Sequence, residues 1–413
     1  MGLDRALAEE VCSVGLQRGL DAIGIAPAGV FDRTRRDLHQ RKAEGLHGGM
    51  AFTYRNPDRS TDPSRAVAGA RALIVGARRY PADPVAPAGA NPAEPTARVA
   101  RYATEDHYRP LRAALSEVAE RLRHHGWRAL VVADDNALVD REAARRAGLG
   151  WYGKNTNVLL PGRGSWFVLG SVVTDAPLPA AEQPVADGCG ACRRCLAGCP
   201  TGALVAPGVL DARRCLAWLL QAPGWFPSEL RSAVGDRIYG CDDCQEVCPE
   251  NRVAALPAGA GAGTIGGATT TSPTTASATT ASATTASAEG GDDGAGESKA
   301  AVEGLGATVP VLAVLGASDD ELLARFGRWY IAERQPRYLR RNALLVLGNT
   351  ADGRAPGVEI MLGRYLQDPD PMLRGHAVWA AARLGRHDLL VSFDGEEDSQ
   401  VRAELEQAAA DLT

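Results

Sequence analysis

The sequence has few aromatic residues, no long apolar run and no excess of basic charge. Phenylalanine, tryptophan and tyrosine make up 5% of the 413 residues, and the formal net charge is −5. No apolar stretch reaches the roughly 20 residues that a membrane-spanning helix needs. The charge balance excludes a protein that attracts nucleic acid over its whole surface, so any such contact must come from local basic patches.

The N-terminus also lacks the features of a targeting segment. The first 26 residues, MGLDRALAEEVCSVGLQRGLDAIGIA, have no basic start and no apolar signal core, and they include acidic residues. The sixth residue is Ala6, whereas a myristoylation site favours Ser or Thr there. We therefore expect a cytoplasmic protein without a membrane partner, and we expect it to be a monomer.

Cysteine is scarce except in two short segments. Of nine cysteines, four lie in CGACRRCLAGCP (Cys189–Pro200), with the spacing C-x2-C-x2-C-x3-C-P, and three lie in CDDCQEVCP (Cys241–Pro249). Cys215 lies between these segments, and Cys12 lies far from both. In a cytoplasmic protein such dense cysteines favour metal or redox chemistry over disulfides.

The first spacing is that of bacterial ferredoxins, in which the fourth cysteine of a run binds the other cluster of a pair. Applied to this chain, the rule assigns Cys199 to a second cluster and Cys248 back to the first. Cys215 then completes the second cluster, because no other cysteine is near it in the sequence. The sequence thus predicts two [4Fe–4S] clusters, the first bound by Cys189, Cys192, Cys195 and Cys248 and the second by Cys199, Cys215, Cys241 and Cys244.

Two alternatives remain open for this segment. Zinc also uses paired C-x2-C spacings, although it rarely needs a third cysteine or the prolines that follow both runs. A plain two-cluster electron carrier would have the same segment, so the rest of the chain must supply a reaction. Cys12 lies on a predicted helix with Val11 and Val14 and is expected to be a small core residue.

Four regions follow from the pattern along the chain. Helix and strand patterns alternate over residues 1–183, which predicts an α/β domain. Residues 184–254 form the predicted ferredoxin-like two-cluster domain. Residues 255–305 are rich in Ala, Thr, Ser and Gly, which indicates a disordered low-complexity insert; a glycosylated stalk would require a secreted protein. Residues 306–413 have helical spacing.

The last region contains three helical segments between residues 338 and 385, separated by Gly or Asp-Pro breaks. They resemble HEAT-type helix pairs, which need neighbours to complete a core. A plain helical cap on the cluster domain is an equally good interpretation of the same pattern.

The segment VVADDNALVDREAARRAGLGWYGKNTNVLLPGRGSWFVLG, residues 131–170, resembles the active-site region of epoxyqueuosine reductases. DRIYGCDDCQEVCPEN (236–251) and RRNALLVLGN (340–349) strengthen the resemblance. These cobalamin-dependent iron–sulfur enzymes are related to reductive dehalogenases. They reduce epoxyqueuosine at the wobble position of tRNA to queuosine, the last step of queuosine biosynthesis. The resemblance therefore implies an oxidoreductase whose α/β domain binds cobalamin.

The resemblance also implies roles for individual residues. Cobalamin in its reduced form would carry the chemistry, the clusters would recharge it one electron at a time, and Asp134 would donate a proton. From the residues alone, Asp134 is more easily explained as a helix N-cap, like its neighbours Asp135 and Asn136. The implied cobalamin contacts are Arg59, Asp134, Lys154, Asn155, Asn157, Tyr239 and Asp242.

Some of these contacts have a plainer explanation. Lys154 and Asn155 lie in GWYGKN, which is equally a glycine turn with solvated polar residues. Asp140 stands where the family usually has a glutamate. The sequence has no D-x-H-x-x-G, the histidine motif with which many proteins bind cobalt, and this agrees with base-off binding without histidine.

Two partners are implied: tRNA with epoxyqueuosine in its anticodon loop, and an electron donor such as a ferredoxin or a flavodoxin-like protein. Basic stretches occur in DRTRRDLHQRK (32–42) and ARFGRWYIAERQPRYLRR (324–341). The second supplies candidates for phosphate contact and for base stacking: Arg325, Arg328, Arg334, Arg337, Arg340 and Arg341, with Trp329, Tyr330 and Tyr338. The alternatives are a dehalogenase-like corrinoid reductase of a small molecule and the plain electron carrier.

Overall fold

The computed structural model describes residues 2–81, 91–181, 185–253, 306–391 and 395–410. The predicted insert, residues 255–305, lies outside these ranges. Within them, no helix is both long enough and apolar enough to cross a membrane.

The N-terminal region is a mixed layer of helices and strands. Its elements are α1 (Gly2–Gln17), β1 (Ala22–Pro27), α2 (Asp32–Ala43), α3 (Pro57–Ser60), β2 (Ala72–Arg79), β3 (Thr96–Val99), α4 (Tyr108–His124), β4 (Ala129–Val132), α5 (Asp140–Arg146), β5 (Trp151–Tyr152), β6 (Val158–Leu159) and β7 (Phe167–Thr174).

A four-stranded sheet in the order β1–β2–β7–β4 forms the centre of this region. All three neighbouring pairs are antiparallel, with Ile25 opposite Ile74 and Ile74 opposite Val172. Helices and strands that alternate along a chain are typical of parallel sheets, so the strand directions differ from that expectation. The reason is that β2 and β7 are buried on both faces, and such apolar runs look alike in parallel and antiparallel sheets.

Two apolar layers cover the sheet. Ile74 and Val172 face a core that α1 and α4 complete, and Cys12 packs against this core from α1. Leu73 and Val173 face the opposite core, which α5 completes. Burial raises the pKa of the Cys12 thiol to about 11, in agreement with the predicted core position.

The cysteine-rich region consists of short elements joined by turns. These are α6 (Arg194–Ala197), β8 (Leu204–Ala206), β9 (Val209–Leu210), α7 (Leu216–Leu219), α8 (Arg231–Val234), β10 (Arg237–Tyr239), α9 (Asp243–Glu246) and α10 (Pro249–Val253).

The C-terminal region is helical, as predicted. It contains β11 (Thr308–Pro310), α11 (Val311–Gly316), α12 (Asp319–Phe326), α13 (Arg337–Thr350), α14 (Pro356–Leu366), α15 (Pro371–Arg383) and α16 (Ser399–Ala410). Leu344, Val378 and Val401 are fully buried in one core that α13, α15 and α16 share.

A second sheet joins the three regions. Its strand order is β10–β3–β11, so one strand comes from each region. Tyr239 pairs with Val99 in the parallel half, and Val309 pairs with Ala97 in the antiparallel half. The strand β3 therefore belongs to the core of the helical region, although it lies within the predicted range 1–183. This sheet fixes the cysteine-rich region between the other two.

Candidate functional site

Four thiols form what we call the first cysteine group: Cys189, Cys192, Cys195 and Cys248. Burial raises the pKa of Cys195, and negative charge on Cys189 and Cys248 raises it further. Burial likewise raises the pKa of Cys248, and charges on Cys189 and Cys192 contribute. Thiols influence one another in this way only at short range, so the fold brings these four side chains together.

Four other thiols form the second cysteine group: Cys199, Cys215, Cys241 and Cys244. Burial raises the pKa of Cys244, and charges on Cys215 and Cys199 add to the effect. Burial is also the main cause of the raised pKa of Cys241, which the charge on Cys215 raises further. Cys215 therefore lies among the other three, although it comes from a separate segment of the chain.

Cys199 differs from its neighbours in the second group. Its burial would raise the pKa, but hydrogen bonds from Thr201 and Ala203 outweigh burial and lower the pKa. The backbone N–H of Ala203 donates to Cys199 Sγ at 3.2 Å. Such hydrogen bonds stabilise the thiolate, which is the form that binds metal.

The donor set fits iron–sulfur clusters. In the described ranges, no three Cys, His, Asp or Glu side chains are close enough together to hold a single metal ion. The eight thiols instead converge as two sets of four, and four thiolates are the ligand set of a [4Fe–4S] cluster. In such a cluster each sulfur ligand binds a different iron, so the ligands lie further apart than around one ion.

A turn after β5 holds both cysteine segments in place. The Nζ amine of Lys154 donates to the carbonyl oxygens of Gly190 at 2.6 Å and Cys192 at 2.9 Å. The side-chain amide of Asn155 donates to the carbonyl oxygen of Cys244 at 3.2 Å. Both residues were predicted as cobalamin contacts, and the structure gives them contacts with the cysteine loops.

A buried polar network that the sequence analysis missed ties α9 to the segment before β7. The amide of Gln245 donates to Ser165 Oγ at 3.0 Å, and the amide of Asn251 donates to the same oxygen at 3.0 Å. All three residues are buried. The signal in the sequence was weak, because a lone serine in GRGSWF has no distinguishing pattern.

Asp134 lies in a loop that follows β4. Its φ of 54° is in the left-handed region, which is uncommon for a residue with a Cβ atom. Burial raises the pKa of its carboxyl group, while Arg112 opposes the rise. Asp134 is nevertheless exposed, and its charge acts on Tyr108, Asp140 and Tyr239; we call the surroundings of these four residues the recess. A raised pKa in a recess is typical of a group that supplies a proton.

The alternative interpretation of Asp134 as a helix N-cap is wrong. The helix α5 begins at Asp140, its N-cap residue is Val139, and no side chain caps it. Asp135 accepts a hydrogen bond from the backbone N–H of Ala137 at 2.7 Å, which closes a turn before the helix. Asp134 takes no part in this turn, and its side chain does not cap the helix.

Two residues of the recess surround Asp134. Burial raises the pKa of Asp140 well above its usual range, the charge of Asp134 raises it further, and a hydrogen bond from the backbone of Asp134 partly offsets this. The Oδ1 atom of Asp140 is buried without a hydrogen-bond partner in the described structure. Burial also raises the pKa of Tyr108, with Asp134 as the next cause.

Tyr239 and Asp242 lie on the side of the recess that faces the helical region. The Tyr239 ring stacks on Trp329, with 4.2 Å between centroids and an interplanar angle of 15°. Its hydroxyl accepts a hydrogen bond from the backbone N–H of Tyr330 at 2.9 Å. Asp242 accepts a hydrogen bond from the backbone N–H of Arg101 at 2.8 Å, and burial raises its pKa to about 6.

Arg141 is a candidate that the sequence analysis missed. It is exposed, and within the described ranges its side chain has no hydrogen-bond or ion-pair partner. Burial raises the pKa values of Tyr108, Tyr152 and Cys215. The positive charge of Arg141 partly offsets the rise in each of them. Arg141 therefore lies between the recess and the second cysteine group.

The two remaining predicted cobalamin contacts are Arg59 and Asn157, whose side chains form no hydrogen bond in the described structure. Arg59 is exposed on α3, and the backbone N–H of Asn157 donates to Asn155 Oδ1 at 3.2 Å. In the part of the chain that the structure describes, neither side chain has a hydrogen-bond partner, so both are available to a ligand.

The basic segment 324–341 divides into structural and exposed arginines. Arg341 is buried and donates to the carbonyl oxygens of Leu219, Ala222 and Gly224. Its prediction as a tRNA contact is wrong, because it anchors α13 to the end of α7. Arg337 and Arg340 form ion pairs with aspartates.

Three arginines and one aromatic ring of this segment stay on the surface. Arg325, Arg328 and Arg334 are exposed, and the Tyr330 ring is 55% exposed. The predictions of base stacking by Trp329 and Tyr338 are wrong, since each is 5% exposed and packs in the helical core.

Comparison with known proteins identifies the family. Residues 188–251 match a family described as 4Fe-4S double cluster binding domain. The chain is 37% identical to an epoxyqueuosine reductase of Pseudomonas aeruginosa over an alignment of 263 residues. This alignment covers 62% of this chain and 71% of that protein. The chain belongs to the epoxyqueuosine reductase family. It is therefore an oxidoreductase and not a plain electron carrier.

Other epoxyqueuosine reductases match nearly the whole chain. The enzyme of Bacillus anthracis is 29% identical over 388 residues, which cover 92% of this chain and 89% of that protein. A solved epoxyqueuosine reductase with an epoxyqueuosine-modified tRNA stem loop has a TM-score of 0.78 and 27% identity, with 98% of each chain covered.

Proposed function

We propose that this chain reduces epoxyqueuosine at the wobble position of tRNA to queuosine, as a cytoplasmic monomer with two [4Fe–4S] clusters and cobalamin. The observation that carries the proposal is Asp134, whose carboxyl group has a pKa raised by burial and whose charge acts on Tyr108, Asp140 and Tyr239. Removal of the epoxide oxygen as water consumes two electrons and two protons. The cysteine groups and the acidic recess account for these two requirements.

The recess has the properties of a cofactor site. Tyr152 is 37% exposed, although burial raises its pKa, so its ring lies deep in the protein and faces open space. Buried oxygens of Asp140 and Asp242 have no hydrogen-bond partner in the described structure. Aromatic faces combined with a few polar atoms are typical of sites for large cofactors. The residues present fit a cobalamin.

The residues that would hold the cofactor are Arg59, Asn157 and Arg141, whose side chains are unengaged, together with Tyr239 and Asp242 on the opposite side. Lys154 and Asn155 would act indirectly, because they hold the cysteine loops. When bound, cobalamin supplies the two-electron reducing chemistry, and the clusters supply single electrons that restore its reduced form.

Asp134 would hold the proton that the leaving oxygen needs. Breaking a C–O bond of the epoxide leaves negative charge on oxygen, and a neutral carboxyl group that donates a proton there lowers the barrier. Because burial raises the pKa of Asp134, its protonated form persists to higher pH than that of a solvated aspartate. The hydrogen bond between the backbone of Asp134 and Asp140 keeps this loop in its left-handed conformation.

The helical region provides a surface for a large anionic substrate. Arg325, Arg328 and Arg334 are exposed, and Arg328 donates to the backbone carbonyl of Ala103, near Tyr239 and the recess. Exposed arginines suit phosphate contact, and the free Tyr330 ring suits stacking on an unpaired base. Paired helices of the HEAT type, which α13 to α16 resemble, supply the rigid support. These features favour tRNA over the small substrate of a dehalogenase-like enzyme.

The substitution Asp134→Asn tests the proposal. We expect the variant to keep its iron and to bind cob(II)alamin, but to lose at least about a hundredfold in single-turnover rate on an epoxyqueuosine-containing anticodon stem loop, since general acids contribute about that much. Mass spectrometry of the nucleoside, which loses one oxygen, measures the product. In the unmodified protein the rate should fall as pH rises through the raised pKa of Asp134.

Asp135→Asn is the matched control, because asparagine also closes the turn with Ala137 and the residue lies outside the recess chemistry. It should retain nearly full rate. A fully active Asp134→Asn variant would remove the assigned role. A protein that holds clusters and cobalamin but leaves epoxyqueuosine unchanged would refute the proposed reaction.

A further inference from the structure

A pair of adjacent, exposed arginines lies in the loop of the first cysteine group, whereas the protein as a whole has a net charge of −5. Arg193 and Arg194 lie between Cys192 and Cys195, and both are exposed. Within the ranges that the structure describes, neither guanidinium has an ion-pair or hydrogen-bond partner. Two arginines without a partner in the described ranges therefore lie directly before Cys195, a thiol of the first group.

Charges of both signs lie near the two arginines, because the carboxylates of Asp187 and of Glu250, two positions after Cys248, have the opposite sign. Lys154 contributes a third positive charge, since its amine contacts the loop carbonyl of Gly190. Among the acidic residues, Asp187 accepts a hydrogen bond from the backbone N–H of Cys189 at 2.8 Å. Glu246 forms an ion pair with Arg101 at 2.9 Å, on the side that faces the N-terminal region.

The first cysteine group also lies at the surface. No residue from 185 to 200 is buried, which includes both arginines and four of the cysteines. In contrast, Leu216, Asp242 and Gln245 are buried next to cysteines of the second group. A protein that delivers electrons must approach a redox centre closely. The first group has three of its four thiols in this loop and the second group only Cys199, so the first group allows the closer approach.

We propose that Arg193 and Arg194 form the docking site of an acidic, one-electron donor protein, so that electrons enter at the first cysteine group. The inference rests on the proposed function, because it takes this group to hold a cluster. With a flavodoxin as donor, the anionic flavin hydroquinone gives up one electron and becomes the neutral semiquinone. The oxidised [4Fe–4S]²⁺ cluster accepts that electron and becomes [4Fe–4S]¹⁺, and no proton moves.

Opposite charges on the two partners would act mainly before contact. Complementary charge steers two proteins into the right orientation and raises their association rate, and salt weakens the effect. The binding of an acidic donor to this surface should therefore weaken as ionic strength rises. Small reductants such as dithionite do not need the docking site.

The test is the double variant Arg193→Glu/Arg194→Glu, with flavodoxin as the probe. We expect the Kd for oxidised flavodoxin at low salt to rise at least tenfold, and cluster reduction by flavodoxin hydroquinone to slow by a similar factor. Reduction by dithionite and the iron content should stay unchanged. The milder pair Arg193→Gln/Arg194→Gln should give a smaller effect in the same direction.

The matched control is Arg354→Glu/Arg364→Glu, which changes the same charge on exposed arginines of the helical region. An unchanged Kd in the first variant, or an equal loss in the control, would overturn the inference. So would an equal slowing with dithionite, because the arginines would then maintain the cluster itself. Failure to convert epoxyqueuosine would refute the proposed function and leave this binding result standing.

Discussion

The two cysteine groups contain the same number of thiols but are built in different ways. Three members of the first group, Cys189, Cys192 and Cys195, lie within one exposed loop. The second group draws its members from three separate segments, and the residues beside Cys215, Cys241 and Cys244 are buried. Most of the first group is thus a local structure, which Cys248 completes from the second run, whereas the second group needs three distant segments.

The difference matches two tasks. A surface position would let a donor protein reach the first group, and the deeper second group lies close to Asp242, one of the predicted cofactor contacts. The charge of Arg141 acts on Cys215 and on Tyr108, so the second group and the recess share one electrostatic environment. An electron that enters at the first group would pass inward to the second and then to the recess.

The strongest test of this contrast is the removal of the ligand that comes from a separate segment. Cys215→Ser should lose the second cluster and with it about four of about eight irons, while the first cluster stays, because three thiolates in a deep site leave one iron without a ligand. Turnover should be lost. Iron and sulfide analysis, together with electron paramagnetic resonance of the remaining cluster, measures the outcome.

Cys12→Ser is the control for this substitution, since Cys12 packs against the sheet core and belongs to neither group. It should keep the full iron content. If Cys215→Ser also kept all its iron, the second group would have a different ligand, and the pairing of cysteines across the two runs would be incorrect.

The sequence predicts three members of the first group from their spacing alone, whereas Cys248 and the whole second group also need the cross-over rule and a count of cysteines. The spacing of Cys189, Cys192 and Cys195 specifies a local turn, which a sequence reports directly. Cys215 could be assigned only by counting, because its position next to Cys199 depends on how α7 packs. The wrong predictions for Arg341, Trp329 and Tyr338 have the same origin, since a basic or aromatic residue on a helix looks alike whether it faces solvent or a neighbouring helix.

The recess was predictable in part for a similar reason. The resemblance drew attention to Asp134. Its left-handed backbone conformation and its separation from the start of α5 could be seen only in the three-dimensional structure. Arg141 escaped notice, and Asp140 was noted only as a departure from the glutamate of the family, because a charged pair at the start of a helix is common on protein surfaces. Only burial distinguishes the buried acid from the exposed arginine beside it.

The next largest effect concerns the support of the second group. Arg341→Met removes donors from the carbonyl oxygens of Leu219, Ala222 and Gly224 at the end of α7. Each lost buried partner costs about 1–3 kcal/mol, so we expect the apparent free energy of unfolding to fall by about 3 kcal/mol or more. A chelator should then remove iron from the second cluster faster than from the first. Urea denaturation and timed iron release measure both effects.

Arg340→Met is the neighbouring control. Arg340 pairs with Asp319 and donates to the carbonyl oxygen of Ala317 at 2.9 Å, so it contacts α12 and the turn before it and not the end of α7. Equal rates of iron release from both clusters in Arg341→Met would show that the second group does not depend on this anchor.

The smallest expected effect tests whether the ionisation of Asp140 makes the stability of the protein depend on pH. Burial raises the folded-state pKa of Asp140, so its contribution to stability is fully present below the usual aspartate pKa and is lost as pH rises through the folded-state pKa. Asp140→Asn keeps an acceptor for the backbone of Asp134 but cannot ionise. Relative to the unmodified protein, the variant should therefore gain in apparent free energy of unfolding as the pH rises from 5.5 to 8.5. Urea titrations at both pH values measure the gain, and Asp320→Asn on the exposed face of α12 should show none.

Parallel pH profiles for Asp140→Asn and the unmodified protein would mean that Asp140 ionises as freely as a surface carboxylate, and the recess would then lose its low-polarity character.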